Sequence, residues 1–143
     1  MIPDLLITEG DILTKVTESS FKRGRQYYDW EMVESAIQRG NQLFAEVQGS
    51  ECLPYHVGIT FKEESFSASC TCPYDWGGYC KHIVAVLLTF IHDRDQITPR
   101  QPIEDLLSRL DARELKALVM RMVESDPKLA DVIDSFCDQA VPR

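Results

Sequence analysis

The sequence predicts an α+β protein, a small antiparallel β-meander carrying a zinc knuckle and followed by C-terminal helices. Three observations predict it. Between residues 32 and 72, short segments alternate apolar and polar residues and are parted by turn residues. From Cys70 to His82, three cysteines and a histidine follow one another as C-x-C-x7-C-x-H. After that stretch the apolar positions return at helical spacing.

The elements follow in chain order. Residues 1–9 read as an extended lead-in. From Gly10 to Trp30 a helical pattern emerges, and because Gly24 interrupts it the firmer helix is placed at Glu18 to Asp29, with Ser19 or Ser20 as N-cap. Met32 to Gln38 and Gln42 to Gln48 flank the turn residues Arg39-Gly40-Asn41 and read as a hairpin. A third strand spans Tyr55 to Lys62. The fourth, Phe66 to Cys72, delivers the first two cysteines, and four such strands joined by tight turns make a meander. A helix then starts near Cys80 or Lys81 and ends near His92. Its apolar residues, Ile83 through Ile91, cover most of the circumference, so it is expected to be buried on more than one side, between the sheet and the C-terminal segment.

Residues 93–102 are polar with two prolines and read as a linker. Beyond it, Ile103, Leu106, Leu107 and Leu110 form a short stripe. Asp111 and Glu114 form a capping box ahead of a second helix, and Asp126-Pro127 opens a third. The organisation is thus residues 1–92 as the zinc-bearing domain with an N-terminal helix, 93–102 as linker, and 103–143 as a helical segment packing on it or appended to it.

Zinc takes four soft or borderline ligands in a tetrahedron, and Cys3His is a standard structural set. Cys70 and Cys72, two apart on an extended chain, point to the same face. A turn built on Pro73, Gly77 and Gly78 can return Cys80 and His82 to the same ion. One structural zinc is therefore expected. Four protein ligands leave no open position for a catalytic water, no C-x-x-C is present for a deaminase site, and no G-x-x-x-x-G-K-[ST] phosphate loop occurs, so no enzymatic activity is expected.

Composition bounds the rest. The 143 residues, 44% hydrophobic and 27% charged, suffice for one core with a helical appendage. The longest apolar run, Ile83 to Ile91, is too short to cross a bilayer, and the N-terminus lacks a basic n-region, which argues against a secretory signal. Five cysteines, three of them in the knuckle, suit a metal in a reducing cytoplasm better than a disulfide framework. A net charge of −8, made one unit more negative by Zn2+ on three thiolates, weighs against phosphate-backbone binding by the chain as a whole.

The knuckle resembles SWIM-type zinc fingers, whose pattern is C-x-C, a variable spacer and C-x-H. Ser-Cys-Thr-Cys-Pro-Tyr-Asp-Trp at 69–76 is similar to the family's first ligand pair and turn. Tyr-Cys-Lys-His-Ile-Val-Ala-Val-Leu-Leu at 79–88 is similar to the second pair running into its helix. Ser20-Phe-Lys-Arg-Gly24 with Tyr27-Tyr28 resembles the segment that precedes bacterial members of the family, so the likeness spans about residues 18–91. It implies a ββα-type unit with Cys70, Cys72, Cys80 and His82 as ligands. It also implies DNA binding or protein interaction, in company with ATPase, transposase-like or ubiquitin-related parts that this sequence lacks.

Two functional readings result. In the first, the chain docks another protein as an adaptor or accessory subunit of a nucleic-acid-processing assembly, with an ATPase or helicase in trans among the implied partners. In the second it binds DNA through Lys22, Arg23, Arg25, Lys62 and Lys81 around the knuckle. The basic triplet has a simpler reading as a solvated helix face. Tyr74, Trp76 and Tyr79 either cover the metal or form a recognition surface. Lys81 either contacts phosphate or donates to a thiolate. Cys52 and Cys137 read as ordinary cysteines, His56 as a sheet histidine and His92 as helix-end surface.

Overall fold

The computed structural model describes residues 7–50, 52–63, 65–74 and 77–140, and the chain divides into two compact units, Met1–Pro102 and Ile103–Arg143. The first holds the sheet and three helices. Helix α1 spans Glu9–Leu13 and α2 spans Glu18–Asp29; strands β1 (Val33–Arg39), β2 (Gln42–Val47), β3 (Tyr55–Lys62) and β4 (Ser65–Cys70) follow, then α3 (Lys81–His92) and a short β5 (Thr98–Arg100). The sheet order is β4-β3-β2-β1-β5. The first four strands are an antiparallel meander, as the alternation predicts.

One sheet face makes the core. Leu43, Ala45 and Val47 of β2, Val57, Ile59 and Phe61 of β3, and Phe66 of β4 are buried. They alternate with exposed or half-buried neighbours at the two-residue period of a pleated strand. Helix α3 lies against this face, with Phe90 stacked on Phe61 at 4.6 Å between ring centroids.

The second side of α3 is covered by α2 and α1. The reason is Gly24. A Cβ there would meet the Val84 Cβ at 2.3 Å and the Lys81 carbonyl oxygen at 2.9 Å, so only a glycine lets α2 come this close to α3. The residue read as an interruption of the helix is its contact point. Gly24→Ala is therefore a competition. Alanine gains about 1 kcal/mol in helix propensity, but overpacking costs about 1–3 kcal/mol, and a 2.3 Å contact is far inside the ordinary separation. The expected net result is a Tm lowered by several degrees in a thermal melt.

Helix α2 starts where predicted, but its N-cap is Thr17, whose side chain accepts from the Ser20 N–H, rather than Ser19 or Ser20. Glu9, expected in an extended lead-in, begins α1 behind a Thr8–Asp11 capping box; residues 1–6 lie outside the described residues. The Glu9 carboxylate joins three elements by pairing with Arg25 of α2 and His92 of α3. Burial acts to raise its pKa, and the hydrogen bonds from Arg25 and His92 outweigh that and hold it below the usual value.

Residues 93–102, read as a linker, instead make a 3-10 turn (Arg94–Gln96) and β5, which pairs parallel with β1 through Ile37↔Thr98 and Arg39↔Arg100. Arg39 also donates to the Gln101 carbonyl at 2.7 Å. A three-residue strand with a proline at its centre gives no periodic signal, and proline is tolerated there because the strand is an edge.

Tyr28, at the end of α2, donates a hydrogen bond to Asp93 just after α3. That bond, with burial and the nearby carboxylate charge, pushes the phenol up to about 12. A raised pKa means the contribution is whole below the ordinary tyrosine value and is lost as pH rises through the raised one. Tyr28→Phe should cost about 1 kcal/mol at pH 8. Denaturant titrations of the two proteins should converge as pH climbs from about 10 to about 12.

The second unit comprises α4 (Ile103–Leu107), α5 (Ala112–Ser125) and α6 (Leu129–Ala140). Asp111 and Glu114 form the predicted capping box. Helix α6 begins two residues later than Asp126-Pro127 suggests, because Leu129 and Ala130 bond back to the Asp126 and Pro127 carbonyls in a turn first. None of the described helices in either unit is long and apolar enough to cross a membrane.

Candidate metal centre

The sequence brings the four ligand candidates together by local means. Cys70 is the last residue of β4 and Cys72 lies two residues beyond it, so the strand ends earlier than predicted. The chain then turns back through Gly77 and Gly78, at φ 100° and 69°, a region that favours glycine. Gly78 is also wedged against the Lys15 carbonyl oxygen, which a Cβ would approach to 2.8 Å, while the Tyr79 N–H donates to that same oxygen. This docks the knuckle onto the segment after α1. Cys80 is the N-cap of α3 yet makes no side-chain capping bond, and His82 sits in the first turn. Its thiol belongs to the cluster, with the Ile83 N–H of the same first turn beside it.

The ligand atoms of Cys70, Cys72, Cys80 and His82 all lie within 4.8 Å of one another. His82 Nδ1 is 3.7 Å from both Cys70 Sγ and Cys80 Sγ. In a tetrahedral site with ordinary Zn–S and Zn–N bonds, such an edge measures about 3.5–3.6 Å. Donor set and spacing therefore fit one zinc ion, with His82 bound through Nδ1. Cys80 and His82 are buried, and Cys70 and Cys72 half-buried.

The thiols divide charge unevenly. The hydrogen bond with Cys70, helped by His82 and the Ile83 N–H against the effect of burial, holds the Cys80 thiol down at about 4. The same bond and burial push Cys70 up, and burial pushes Cys72 up. A metal must displace protons from Cys70 and Cys72, so affinity rises with pH.

His82 is walled by aromatics. The Tyr55 ring lies 4.7 Å from its ring and the Tyr27 ring 5.4 Å, edge-on. Tyr55 is seated against Gly49, where a Cβ would come within 2.3 Å of the ring. With Nδ1 given to a metal ion, Nε2 would carry the ring proton, and that atom is buried with no hydrogen-bond partner among the described residues. Metal-bound histidines normally give that N–H to a carboxylate, a carbonyl or a water.

The other predicted residues separate. Lys22 pairs with Glu18 on the same helix, and Arg25 with Glu9. Lys81 does not reach a thiolate; its Nζ lies 4.8 Å over the Tyr27 ring. Lys62, at the exposed end of β3, does not line the cleft beside the metal centre. Tyr74 and Tyr79 are packed: Tyr74 accepts from Ser20 Oγ and donates to the Gly77 carbonyl, and the Tyr79 hydroxyl accepts from the Ala68 N–H. Trp76 lies outside the described residues. His56 is exposed near Glu46, and Cys52 and Cys137 are exposed thiols. Sequence reasoning missed Tyr27 and Tyr55 as walls of the metal centre and Lys15 as the brace that ties the knuckle to β4, where its Nζ donates to the Phe66 carbonyl at 2.6 Å. Nothing in the sequence marks Lys15. Tyr27 stands out as an apolar position of a helix and as part of the segment resembling the one that precedes bacterial SWIM fingers, with no mark of a place beside the metal.

A sheet hairpin feeding two cysteines, a glycine turn, and a helix opened by Cys-x-His define a zinc-finger domain. Residues 55–91 match the family described as SWIM zinc finger. It is similar to "Zinc finger SWIM domain-containing protein 8" of Homo sapiens, at 29% identity over 121 residues covering 81% of this chain and 6% of that protein. The protein of the same name from Bos taurus shows the same identity, over 81% of this chain and 8% of that protein. The "Zinc finger SWIM domain-containing protein 8 homolog" of Drosophila melanogaster is 29% identical over 118 residues. The chain thus spans less than a tenth of the length of these relatives. No solved structure matches it.

Proposed function

We propose that the chain is a non-catalytic SWIM module that docks another protein, serving as an adaptor or accessory subunit of a nucleic-acid-processing assembly. The observation that carries this reading is the second unit. Among its described residues none is buried, and Val132, Phe136 and Met120 are 61%, 68% and 53% exposed. Amphipathic helices that leave large apolar side chains in water are the kind of surface partners cover. A ligand set that fills its tetrahedron supports a structural rather than catalytic metal. The assembly is the part drawn from the family resemblance alone, with an ATPase or helicase in trans as the implied partner.

Direct DNA binding is the second reading, and Arg23 and Lys81, both beside the metal centre, favour it. Engagement of Lys22 and Arg25 with carboxylates and the net charge of −8 weigh against it. Fluorescence anisotropy of labelled single- and double-stranded DNA with the zinc-loaded chain, across a salt series, separates the two. Flat traces at low salt are expected. Micromolar binding that weakens steeply with salt would replace the docking reading with the DNA one.

A further inference from the structure

A cleft of about 650 Å³ opens beside the zinc ligands, between α2, the start of α3 and the β2–β3 connection. Its described lining contains Arg23 and Lys81 and no aspartate or glutamate. That is unusual in a chain where acidic residues outnumber basic ones by 23 to 15. Arg23 is exposed and has no ion-pair partner among the described residues, unlike its helix neighbours Lys22 and Arg25. Ser19, in the first turn of α2, adds a hydroxyl, and the positive end of that helix faces the same region. His82, which is 4% exposed, borders the cleft as well. Tyr27 and Tyr55 supply apolar walls.

We propose that this cleft binds an anionic side chain presented by a peptide segment of a partner protein. The group is a carboxylate or a phosphate monoester, held by Arg23 and Lys81. Both cations can make charge-assisted bonds, and the arginine fork suits either planar or tetrahedral oxygens. The size of the cleft suits a side chain with its flanking residues, and the acidic balance of the remaining surface repels a long polyanion. This rests on the docking reading above and names the partner's chemistry.

The test uses the full zinc-loaded chain and degenerate ten-residue peptide pools with a fixed central glutamate, phosphoserine or glutamine, followed by amide and side-chain NMR shifts and by anisotropy. The glutamate or the phosphoserine pool is expected to bind at least about tenfold tighter than the glutamine pool, with shifts at Arg23, Tyr27 and Lys81. Whichever of the two is tighter identifies the source of the anion. Arg23→Gln/Lys81→Gln should erase that preference at unchanged zinc content. Arg23→Gln alone should reduce it, in case the double variant loses metal, and Lys22→Gln should leave it intact. Equal binding of all three pools, shifts confined to other surfaces, or DNA displacing the peptides from this cleft at lower concentration would overturn the proposal. Capture of one partner from lysate by both wild type and Arg23→Gln/Lys81→Gln would sink the cleft and leave the docking reading standing. Salt-dependent DNA binding would sink the docking reading itself.

Discussion

Cys80→Ser is expected to reduce bound zinc from one per chain to a small fraction of that, and to broaden and lower the melting transition of the first unit. Cys80 has two roles that no other ligand combines. It is the N-cap of α3 and the thiol held most strongly toward the thiolate, so its loss removes an anionic ligand and misaims His82 two residues on. Structural zinc is worth about 10–16 kcal/mol in isolated finger peptides, comparable with the whole stability of an ordinary domain, about 5–15 kcal/mol. Here the sheet and α3 have a core of their own, so the variant should stay partly folded. The knuckle, from Cys70 to the first turn of α3, should open. Even a third of the peptide value would lower Tm by more than about 10 °C. Elemental analysis alongside calorimetry checks this, and stoichiometric zinc in the variant would remove Cys80 from the ligand set. Chelation of the wild type should reproduce the variant's melt.

The metal centre was legible because its ligands are local. Thirteen residues contain all four donors, and the glycines needed for the turn stand between the two pairs. Strand β3 was legible to the residue because Val57, Ile59 and Phe61 alternate with outward neighbours. What stayed hidden depends on tertiary contact. Gly24 has the same composition signal whether it breaks a helix or lets two helices touch, and only the position of Val84 decides. Strand β5 is three residues long and owes its existence to the open edge of β1. The cleft is assembled from α2, the β2–β3 connection and the knuckle, segments far apart in the sequence, so the basic triplet looked like one feature. In the fold its members diverge. Helical geometry sends Lys22 to Glu18 and Arg25 to Glu9, and leaves Arg23 beside the zinc ligands.

Two phenylalanines should respond in opposite ways to the same truncation. Phe90 is fully buried between the sheet and α3's partners and stacked on Phe61. Phe90→Ala should cost about 3–5 kcal/mol, the transfer term plus a cavity that the surrounding residues cannot fill. Leu87, Leu88 and Val86 beside it on α3 are already at zero exposure and leave no slack for collapse. A Tm drop of at least about 12 °C is expected in calorimetry, with zinc retained because the ligands lie at the far end of the helix. A drop of only a few degrees would mean that the sheet and α3 do not share one core. Phe136 is 68% exposed on α6. Phe136→Ala should change stability by less than about 0.5 kcal/mol, yet reduce capture of a docking partner, because an aromatic held in water contributes energy only when something covers it. Stability lost at Phe90 and partner binding lost at Phe136 would assign folding of the core to the first unit and a share of the docking surface to the second. Equal partner capture by Phe136→Ala and wild type would remove α6 from the docking surface and leave the zinc-bearing unit as the place to look.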